Sequence, residues 1–198
     1  GIIFIFSLSI LIGLYLVSIG GYIIVIIGLL SIISGILYTS GPYPLGYNGL
    51  GDIFVFIFFG IIAVTGTYYL NTLTINLESV ICGIMLGCLS TAILVVNNIR
   101  DAKTDIKTGK KTLAVKLGIP FSKLEFSFLL ILPFLLINYL FLLMNDMGVL
   151  LAIFTLPIAI HLIIQIYNKE GVHLNDVLVK TARLLFAFSI LLSFGLFL

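Results

Sequence analysis

The amino-acid sequence predicts an all-α integral membrane protein, a polytopic bundle of transmembrane helices. Its 198 residues are 61% hydrophobic and only 9% charged, whereas soluble domains carry about a quarter charged residues. The mean hydropathy is +1.31, and a water-soluble fold of this length could not bury that much apolar surface, so lipid must surround most of the chain. The net charge of +2 is too small to indicate a nucleic-acid partner.

Seven apolar stretches are long enough to cross a bilayer, because a helix crossing about 30 Å of hydrocarbon needs roughly 20 apolar residues. Cutting the chain at polar residues and at Gly and Pro predicts spans at 2–17, 21–39, 52–70, 77–97, 124–143, 147–167 and 180–198. The first span is short and ends at Gly20 and Gly21. Many of these residues favour strands in water, but runs this long without alternation exclude barrel strands. Since backbone amides in lipid must be paired internally, each span is predicted to be helical.

The basic residues occur on one set of connections. The connections 40–51, 98–123 and 168–179, with their borders, hold all ten of them, whereas 18–20, 71–76 and 144–146 hold none. They are Arg100, Lys103, Lys107, Lys110, Lys111, Lys116, Lys123, Lys169, Lys180 and Arg183. By the positive-inside rule, the first set is predicted to be cytoplasmic in a multi-pass protein of the cell membrane, with Gly1 inside and Leu198 outside. A wrong span count would scatter these residues over both sides.

Three residues inside the spans, Cys82, Cys88 and His161, are of types that can bind metals or react, but their spacing indicates a structural role. Cys82 and Cys88 lie six apart in one apolar stretch, on different faces of a helix, so they fit neither a disulfide nor a metal site. We interpret both as small packing residues. His161 has no second histidine or carboxylate at ligand spacing, and is predicted to be packed or hydrogen-bonded.

The residues that follow the fourth span carry the strongest chemical signal. If the helix continues past Asn98, Asp101 and Asp105 lie four apart and share a face. Three bases cluster about a third of a turn or more away: Arg100, Lys103 and Lys107. Such stacked like charges repel each other instead of pairing, which is costly unless a cation binds the acids and an anion binds the bases. Mg²⁺ with a phosphorylated substrate meets both requirements.

Spacing alone leaves an alternative open with similar weight, a solvated loop whose positive charge only orients the protein. Asn97 and Asn98 favour the functional interpretation, because amides at the end of an apolar span are more often functional than incidental.

The connection from Tyr38 to Asp52 is rich in Gly, Pro and Tyr. One interpretation is a rigid turn in which Asp52 caps the third span, since a negative charge suits a helix N-terminus. The other is that the tyrosines line a pocket at the membrane surface, where aromatic faces can stabilise a cation developing on a bound hydrocarbon. Both interpretations stay open at this stage.

The string from Asn97 to Gly118 resembles the second aspartate-rich motif of the UbiA superfamily of intramembrane prenyltransferases. It is closest in pattern to the MenA-type branch, the 1,4-dihydroxy-2-naphthoate polyprenyltransferases. The matching core is Asn-Asn-x-Arg-Asp-x-x-x-Asp, followed by Gly-Lys-Lys-Thr-Leu-Ala-Val-Lys-Leu-Gly. The segment from Tyr38 to Gly60 is similar to the preceding loop and helix of the same branch. The resemblance covers essentially the whole chain.

The resemblance implies a nine-helix fold, of which the seven predicted spans match the third to the ninth. The family carries a first motif of the Asn-x-x-x-Asp-x-x-x-Asp kind between its second and third helices, and residues 1–198 contain no counterpart of it. The chain also begins at Gly1 inside an apolar run without a basic leader, which is typical of a sequence cut within a membrane domain. We therefore expect 1–198 to be a single, N-terminally incomplete prenyltransferase domain.

The activity implied by the resemblance is transfer of a polyprenyl group from polyprenyl diphosphate to 1,4-dihydroxy-2-naphthoate, with loss of carbon dioxide, in menaquinone biosynthesis. Asp101 and Asp105 would bind Mg²⁺, with Asn97 and Asn98 supporting the catalytic site. Diphosphate and substrate binding would fall to the remaining polar and aromatic residues: Arg100, Lys110, Lys111, Tyr38, Tyr43, Tyr47, Asn48 and Asp52.

Three alternatives remain open at this stage. The chain could belong to a family member with another aromatic acceptor, such as 4-hydroxybenzoate. It could be a silent or fragmentary protein that binds prenyl diphosphate without turnover. A small-solute transporter is a distant third, since the spans show no paired broken helices.

Overall fold

The computed structural model describes the backbone of residues 1–198 and every side chain except that of Ile2. Within this part of the chain all regular structure is helical, so the predicted all-α fold is confirmed. Six helices are long and apolar enough to cross a membrane. They are α1 (Ile2–Thr39), α2 (Gly51–Thr72), α3 (Leu77–Lys107), α4 (Ile119–Met144), α5 (Met147–Asn168) and α6 (Gly171–Phe197).

Helix α1 is broken at Gly21, whose φ of 63° and ψ of −150° are not helical. Only glycine adopts this conformation without strain. An unbroken helix of 38 residues would be roughly 57 Å long, almost twice the hydrocarbon thickness. The break divides α1 where the sequence predicts the first two spans to meet. The Tyr69 hydroxyl of α2 donates a hydrogen bond of 3.1 Å to the Gly20 carbonyl beside it.

Helices α2 and α3 approach each other through glycines. A seven-residue π-helical segment, Phe56–Ile62, interrupts α2 and contains Gly60. Gly60 faces Gly83 and Gly87, which form a Gly-x-x-x-Gly pair on α3, and a Cβ atom at Gly60 would lie 2.6 Å from the Gly83 carbonyl oxygen. Small residues at such crossings let two membrane helices pack backbone against backbone.

We expect Gly60→Ala to destabilise the protein, because the added methyl group meets backbone atoms of α3 that no rotamer change can move aside. The cost should be about 1–3 kcal/mol, typical of overpacking. Gly66→Ala is the matched control, since Gly66 lies in the same helix with nothing within 4 Å of its Cβ position. It should be neutral or stabilising by a few tenths of a kcal/mol. Thermal unfolding in micelles checks both; equal melting temperatures for the two variants would contradict the close packing.

Helix α3 is the centre of the bundle, with α2, α4 and α6 packed around it. Most of its apolar stretch is buried, including Met85, Leu89 and Val96. Cys82 and Cys88 are buried and free, which confirms the prediction that they are packing residues. The helix continues past the predicted span end at 97 to Lys107, so Asp101 and Asp105 are helical, as the site hypothesis requires.

The connections after α1, α3 and α5 meet at one end of the bundle. The Lys111 amide donates to the Tyr47 carbonyl, and Arg100 donates to Asn175 at the start of α6. The Lys123 ammonium lies 5.9 Å from the centre of the Tyr167 ring. These contacts bring the polar ends of the helices together, and we call this end of the molecule the polar end.

Candidate active site

Two connections dock on each other at the polar end. The Lys111 amide donates a 2.7 Å hydrogen bond to the Tyr47 carbonyl, and the Lys116 ammonium donates one of 2.6 Å to the Asn48 carbonyl. Gly49 fits between them: its φ is +77°, and a Cβ atom there would lie 2.9 Å from the Lys111 carbonyl oxygen. The Asn48 side chain donates to the Pro44 carbonyl at 2.8 Å and stiffens the turn.

This junction encloses a cavity of about 120 Å³, which we call the polar pocket. It is lined by Tyr38, Gly46, Tyr47, Gly49, Gly51, Asp52, Leu94, Asn98, Lys110 and Thr112. Of the residues that the sequence singles out, it contains Tyr38 from α1, Tyr47 and Asp52 from the tyrosine-rich segment and the start of α2, and Asn98 and Lys110 from α3 and the connection after it. The functional interpretation of the tyrosine-rich segment therefore has a structural counterpart.

The wall of the polar pocket contains oxygen atoms without partners. Asp52 is 4% exposed in the first turn of α2, and its Oδ1 atom is buried without a hydrogen bond within the described part of the chain. The Thr112 hydroxyl is in the same state. Asn98, at 5% exposure, faces them from α3. Buried polar atoms of this kind are costly unless water or a ligand binds them.

Lys110 connects the pocket to the aspartate-rich helix. Its ammonium lies 3.5 Å from Oδ2 of Asp105 and 5.8 Å from the centre of the Tyr47 ring. Asp105 is only 7% exposed. No hydrogen bond reaches its Oδ2 atom within the described residues. The chain turns back at Gly109, whose φ is +75°, and the Lys110 amide donates to the Asp105 carbonyl at 2.9 Å.

Arg100 forms the second ion pair of the site. Its guanidinium donates to both carboxylate oxygens of Asp101, at 2.8 and 2.7 Å. It also donates to the side-chain oxygens of Asn97, at 2.7 Å, and of Asn175, at 2.8 Å. Asn97 thus orients Arg100, a role that the sequence does not reveal.

These two ion pairs correct the expectation that the acids repel each other without pairing. Asp101 has Arg100 and Asp105 has Lys110. Neighbouring residues of a helix point in different directions, so the sequence does not predict the pair between Arg100 and Asp101. The pair forms because the arginine side chain is long enough to fold back onto the next residue. The second depends on the turn at Gly109, which spacing along a continuous helix does not anticipate.

Some predicted site residues lie outside the pocket. Tyr43 is 57% exposed and does not line it. Lys111 is exposed, and its backbone, not its side chain, holds the loop junction. Asn48 likewise contacts the junction through its carbonyl and its bond to Pro44. Their roles in substrate binding stay predictions.

The sequence reasoning missed Glu125. Its Oε2 atom is buried without a hydrogen-bond partner within the described residues, and its charge is close enough to Asp52 for the two carboxylates to repel each other. A signal was present, because Glu125 is the only acid in the predicted span 124–143. Acids near the end of an apolar span are expensive and often functional.

Asp101 and Asp105 do not line the polar pocket, but their carboxylates are of the ligand type that Mg²⁺ takes. This ion takes one or two carboxylates and completes its octahedron with water and phosphate oxygens. The Oδ2 atom of Asp105 accepts no hydrogen bond within the described residues and has only the Lys110 ammonium at 3.5 Å, and Asp101 lies one turn away. No group of three or more His, Cys, Asp or Glu side chains is arranged for metal binding in the residues that the structure describes. A cation here would therefore depend on oxygens from a bound ligand.

A larger apolar groove adjoins the polar pocket. It has a volume of about 660 Å³ and runs between α1 and α2, lined by Ser31, Ser34, Gly35, Tyr38, Phe54, Val55, Phe58, Phe59 and Ala63. Tyr38 lines both cavities. Phe54 and Phe58 stack with ring centres 5.8 Å apart. The arrangement places a polar, partly cationic chamber at one end of an aromatic groove in the membrane region.

Comparison with known proteins places the chain among membrane prenyltransferases. Residues 1–190 match the model of the UbiA prenyltransferase family. A 1,4-dihydroxy-2-naphthoate octaprenyltransferase of Haemophilus influenzae is 52% identical over 83 residues, 42% of this chain and 27% of that protein. The protein of the same name from Bacillus subtilis is 33% identical over 113 residues, 57% of this chain and 36% of that protein.

A UbiA prenyltransferase domain-containing protein 1 of Dictyostelium discoideum is 35% identical over 166 residues, 82% of this chain and 48% of that protein. The chain thus spans about half or less of the length of these relatives. The family model, in contrast, matches nearly all of it. With its bundle of apolar helices and its site at the polar end, the chain belongs to the UbiA prenyltransferase family.

Proposed function

We propose that the protein transfers a polyprenyl group from polyprenyl diphosphate to 1,4-dihydroxy-2-naphthoate, as a multi-pass enzyme of menaquinone biosynthesis in the cell membrane. The observation that carries the proposal is the junction at Tyr38, where a polar pocket holding Lys110 meets an aromatic groove. A prenyl diphosphate has the same two parts, a head with several negative charges and an apolar tail. The relatives named octaprenyltransferases support the acceptor.

The head of the substrate would lie beside Asp101 and Asp105. Lys110 would donate to diphosphate oxygens from within the pocket, and Lys111 and Arg100 would supply further positive charge from its edges. Asn98 would support the site from the buried face of α3. Mg²⁺ held by Asp101 and Asp105 would withdraw charge from the diphosphate and so favour breaking of the allylic C–O bond.

The tail would lie in the aromatic groove. Phe54, Phe58 and Tyr38 offer faces to an isoprenoid chain, and the Tyr38 and Tyr47 rings flank the polar pocket, where positive charge would develop on the allylic carbon. Aromatic rings stabilise such a cation without attacking it. A carbon of the electron-rich naphthoate ring then forms the new C–C bond and displaces the carboxyl group as carbon dioxide.

The test is an assay of the protein produced from its complete reading frame in membrane vesicles. Prenylated 1,4-dihydroxynaphthalene, carbon dioxide and inorganic pyrophosphate should form in equal amounts with Mg²⁺, and product should fall to background when the metal is chelated. Dihydroxynaphthoate should be preferred over 4-hydroxybenzoate in a panel of acceptors. Product with 4-hydroxybenzoate alone would overturn the proposal that dihydroxynaphthoate is the acceptor. Absence of product with every acceptor would favour a catalytically silent protein.

Sidedness is part of the proposal. The polar end holds 98–123 and 168–179, which with their borders carry all ten Lys and Arg residues, and the 40–51 connection docks on the first of them. We therefore place 40–51, 98–123 and 168–179 in the cytoplasm. A cysteine introduced at Lys107, which is exposed in the 98–123 segment, should resist membrane-impermeant maleimides in intact cells and react after lysis. Labelling in intact cells would reverse the orientation.

A further inference from the structure

A second cavity lies at the polar end, between the ends of α3, α4 and α6. It has a volume of about 90 Å³, and we call it the basic cleft. Its charged lining consists of Arg100, Lys103, Lys123, Lys169 and Glu170. It shares no lining residue with the polar pocket. Four bases from three parts of the fold thus meet one acid in a space whose lining shares only Arg100 with the residues proposed for prenyl transfer.

Two of the four bases already have anionic partners. Arg100 is bound to both oxygens of Asp101, and the Lys169 ammonium lies 2.6 Å from Oδ2 of Asp176. Their charges are largely balanced within the fold.

The other two bases are not balanced in this way. Lys123 donates a long hydrogen bond of 3.4 Å to the Tyr167 carbonyl and lies over the Tyr167 ring, but it has no acidic partner within the described residues. The Lys103 ammonium has neither a hydrogen bond nor an ion pair in the part of the chain that the structure describes. Two like charges held around one small cavity repel each other unless an anion enters it.

The setting indicates which anion is suited to the cleft. Ile99, Ile119 and Leu174 form its apolar wall, and α3 ends while α4 and α6 begin beside it. Lysine ammonium groups bind phosphate as point charges. Basic clefts between membrane helices at the polar surface bind phosphate-bearing head groups, each Lys or Arg contributing attraction to an anionic lipid.

We infer that the basic cleft is a second phosphate site, in which Lys103 and Lys123 bind the phosphate group of an anionic lipid at the membrane surface or of a free phosphate. The two sources share this chemistry, and the cleft walls favour the lipid. Arg100 borders the cleft while it holds Asp101, so an anion there also adjoins the aspartate-rich helix.

Native mass spectrometry of the protein from its complete reading frame, released from neutral micelles, tests the inference. Phosphatidylglycerol and phosphatidylcholine with the same acyl chains are the lipid probes, and inorganic pyrophosphate is the free anion. We expect phosphatidylglycerol to bind at least tenfold more tightly than phosphatidylcholine. The double variant Lys103→Gln with Lys123→Gln should lose about tenfold or more of that affinity, given the attraction that each Lys contributes.

The matched control is Lys107→Gln with Lys180→Gln, which removes the same charge from two lysines that do not line the cleft. It should change binding less than twofold. If the cleft variant fails to fold, the exposed Lys103→Gln alone should still weaken binding about threefold. Equal binding of the two lipids together with pyrophosphate binding that the cleft variant leaves unchanged, or equal loss in cleft and control variants, would overturn the inference.

The measurement with pyrophosphate distinguishes a lipid phosphate from a free phosphate as the ligand of the cleft. Pyrophosphate binding that the cleft variant abolishes, without selectivity between the lipids, supports the phosphate site and identifies a free anion as its ligand. Pyrophosphate binding that survives in the cleft variant belongs to the polar pocket and does not support the cleft. Because the readout is binding alone, a negative result leaves the proposed prenyl transfer standing, and an inactive protein can still bind lipid here.

Discussion

Asp105→Asn should lower the rate of Mg²⁺-dependent prenyl transfer roughly 10²- to 10³-fold, the usual effect of removing one preorganised electrostatic contact. The substitution keeps the size of the side chain but removes the negative charge from a carboxylate that is 7% exposed. Its Oδ2 atom accepts no hydrogen bond within the described residues and lies 3.5 Å from the Lys110 ammonium, so the substitution removes a charge directly beside the proposed diphosphate site. Initial rates in vesicles at saturating Mg²⁺ and matched protein amounts measure the effect.

Asp176→Asn is the control for this prediction. Asp176 is also an acid at the polar end, paired with Lys169 and Lys180, but its side chain is 48% exposed and lies away from the pocket. Surface pairs of this kind contribute little, so activity and melting temperature should stay near those of the unmodified protein. Full activity of Asp105→Asn would remove Asp105 from the site, whereas equal losses in both variants would indicate a general effect of charge.

Much of the fold follows from the sequence because lipid imposes few choices on an apolar chain. Each long apolar run must be a helix, and the glycine pair at Gly20 and Gly21 does mark the break in α1. The end of α3 was harder to predict. The apolar stretch ends at 97 because charged residues follow it, and the predicted span therefore ends there. A helix that leaves the membrane can continue in water, however, and α3 continues to Lys107.

The site is less readable because its contacts join distant parts of the chain. The sequence shows that Asp101 and Asp105 share a face but not that Arg100 and Lys110 pair with them. The position of Asp52 in the pocket depends on docking of the 40–51 connection against Lys111. Glu125 was passed over because its burial depends on how α4 rotates against α3, which periodicity in a uniformly apolar helix does not determine.

Lys110→Gln should weaken binding of a prenyl diphosphate about ten- to a hundredfold, the usual effect of losing a hydrogen bond to a charged group. The ammonium lies 3.5 Å from Asp105 and lines the pocket that holds the buried Asp52. Without it, a diphosphate would meet the Asp52 carboxylate in the pocket wall, and the nearby Asp105 carboxylate would have lost its ion-pair partner. Equilibrium binding of a fluorescent prenyl diphosphate analogue measures the loss, which should diminish as ionic strength rises and screening reduces the repulsion.

Lys107→Gln separates this local effect from net charge, because Lys107 lies three residues earlier, exposed at the end of α3 and outside the pocket. Its affinity should stay within twofold of the unmodified protein. Lys110→Arg distinguishes the effect of charge from the effect of its position. The guanidinium keeps the charge but needs more room than the small pocket offers beside the Tyr47 ring. If position matters as well as charge, Lys110→Arg should recover only part of the affinity. Full recovery would mean that Lys110 acts as a diffuse charge, and an unchanged affinity in Lys110→Gln would place the diphosphate elsewhere.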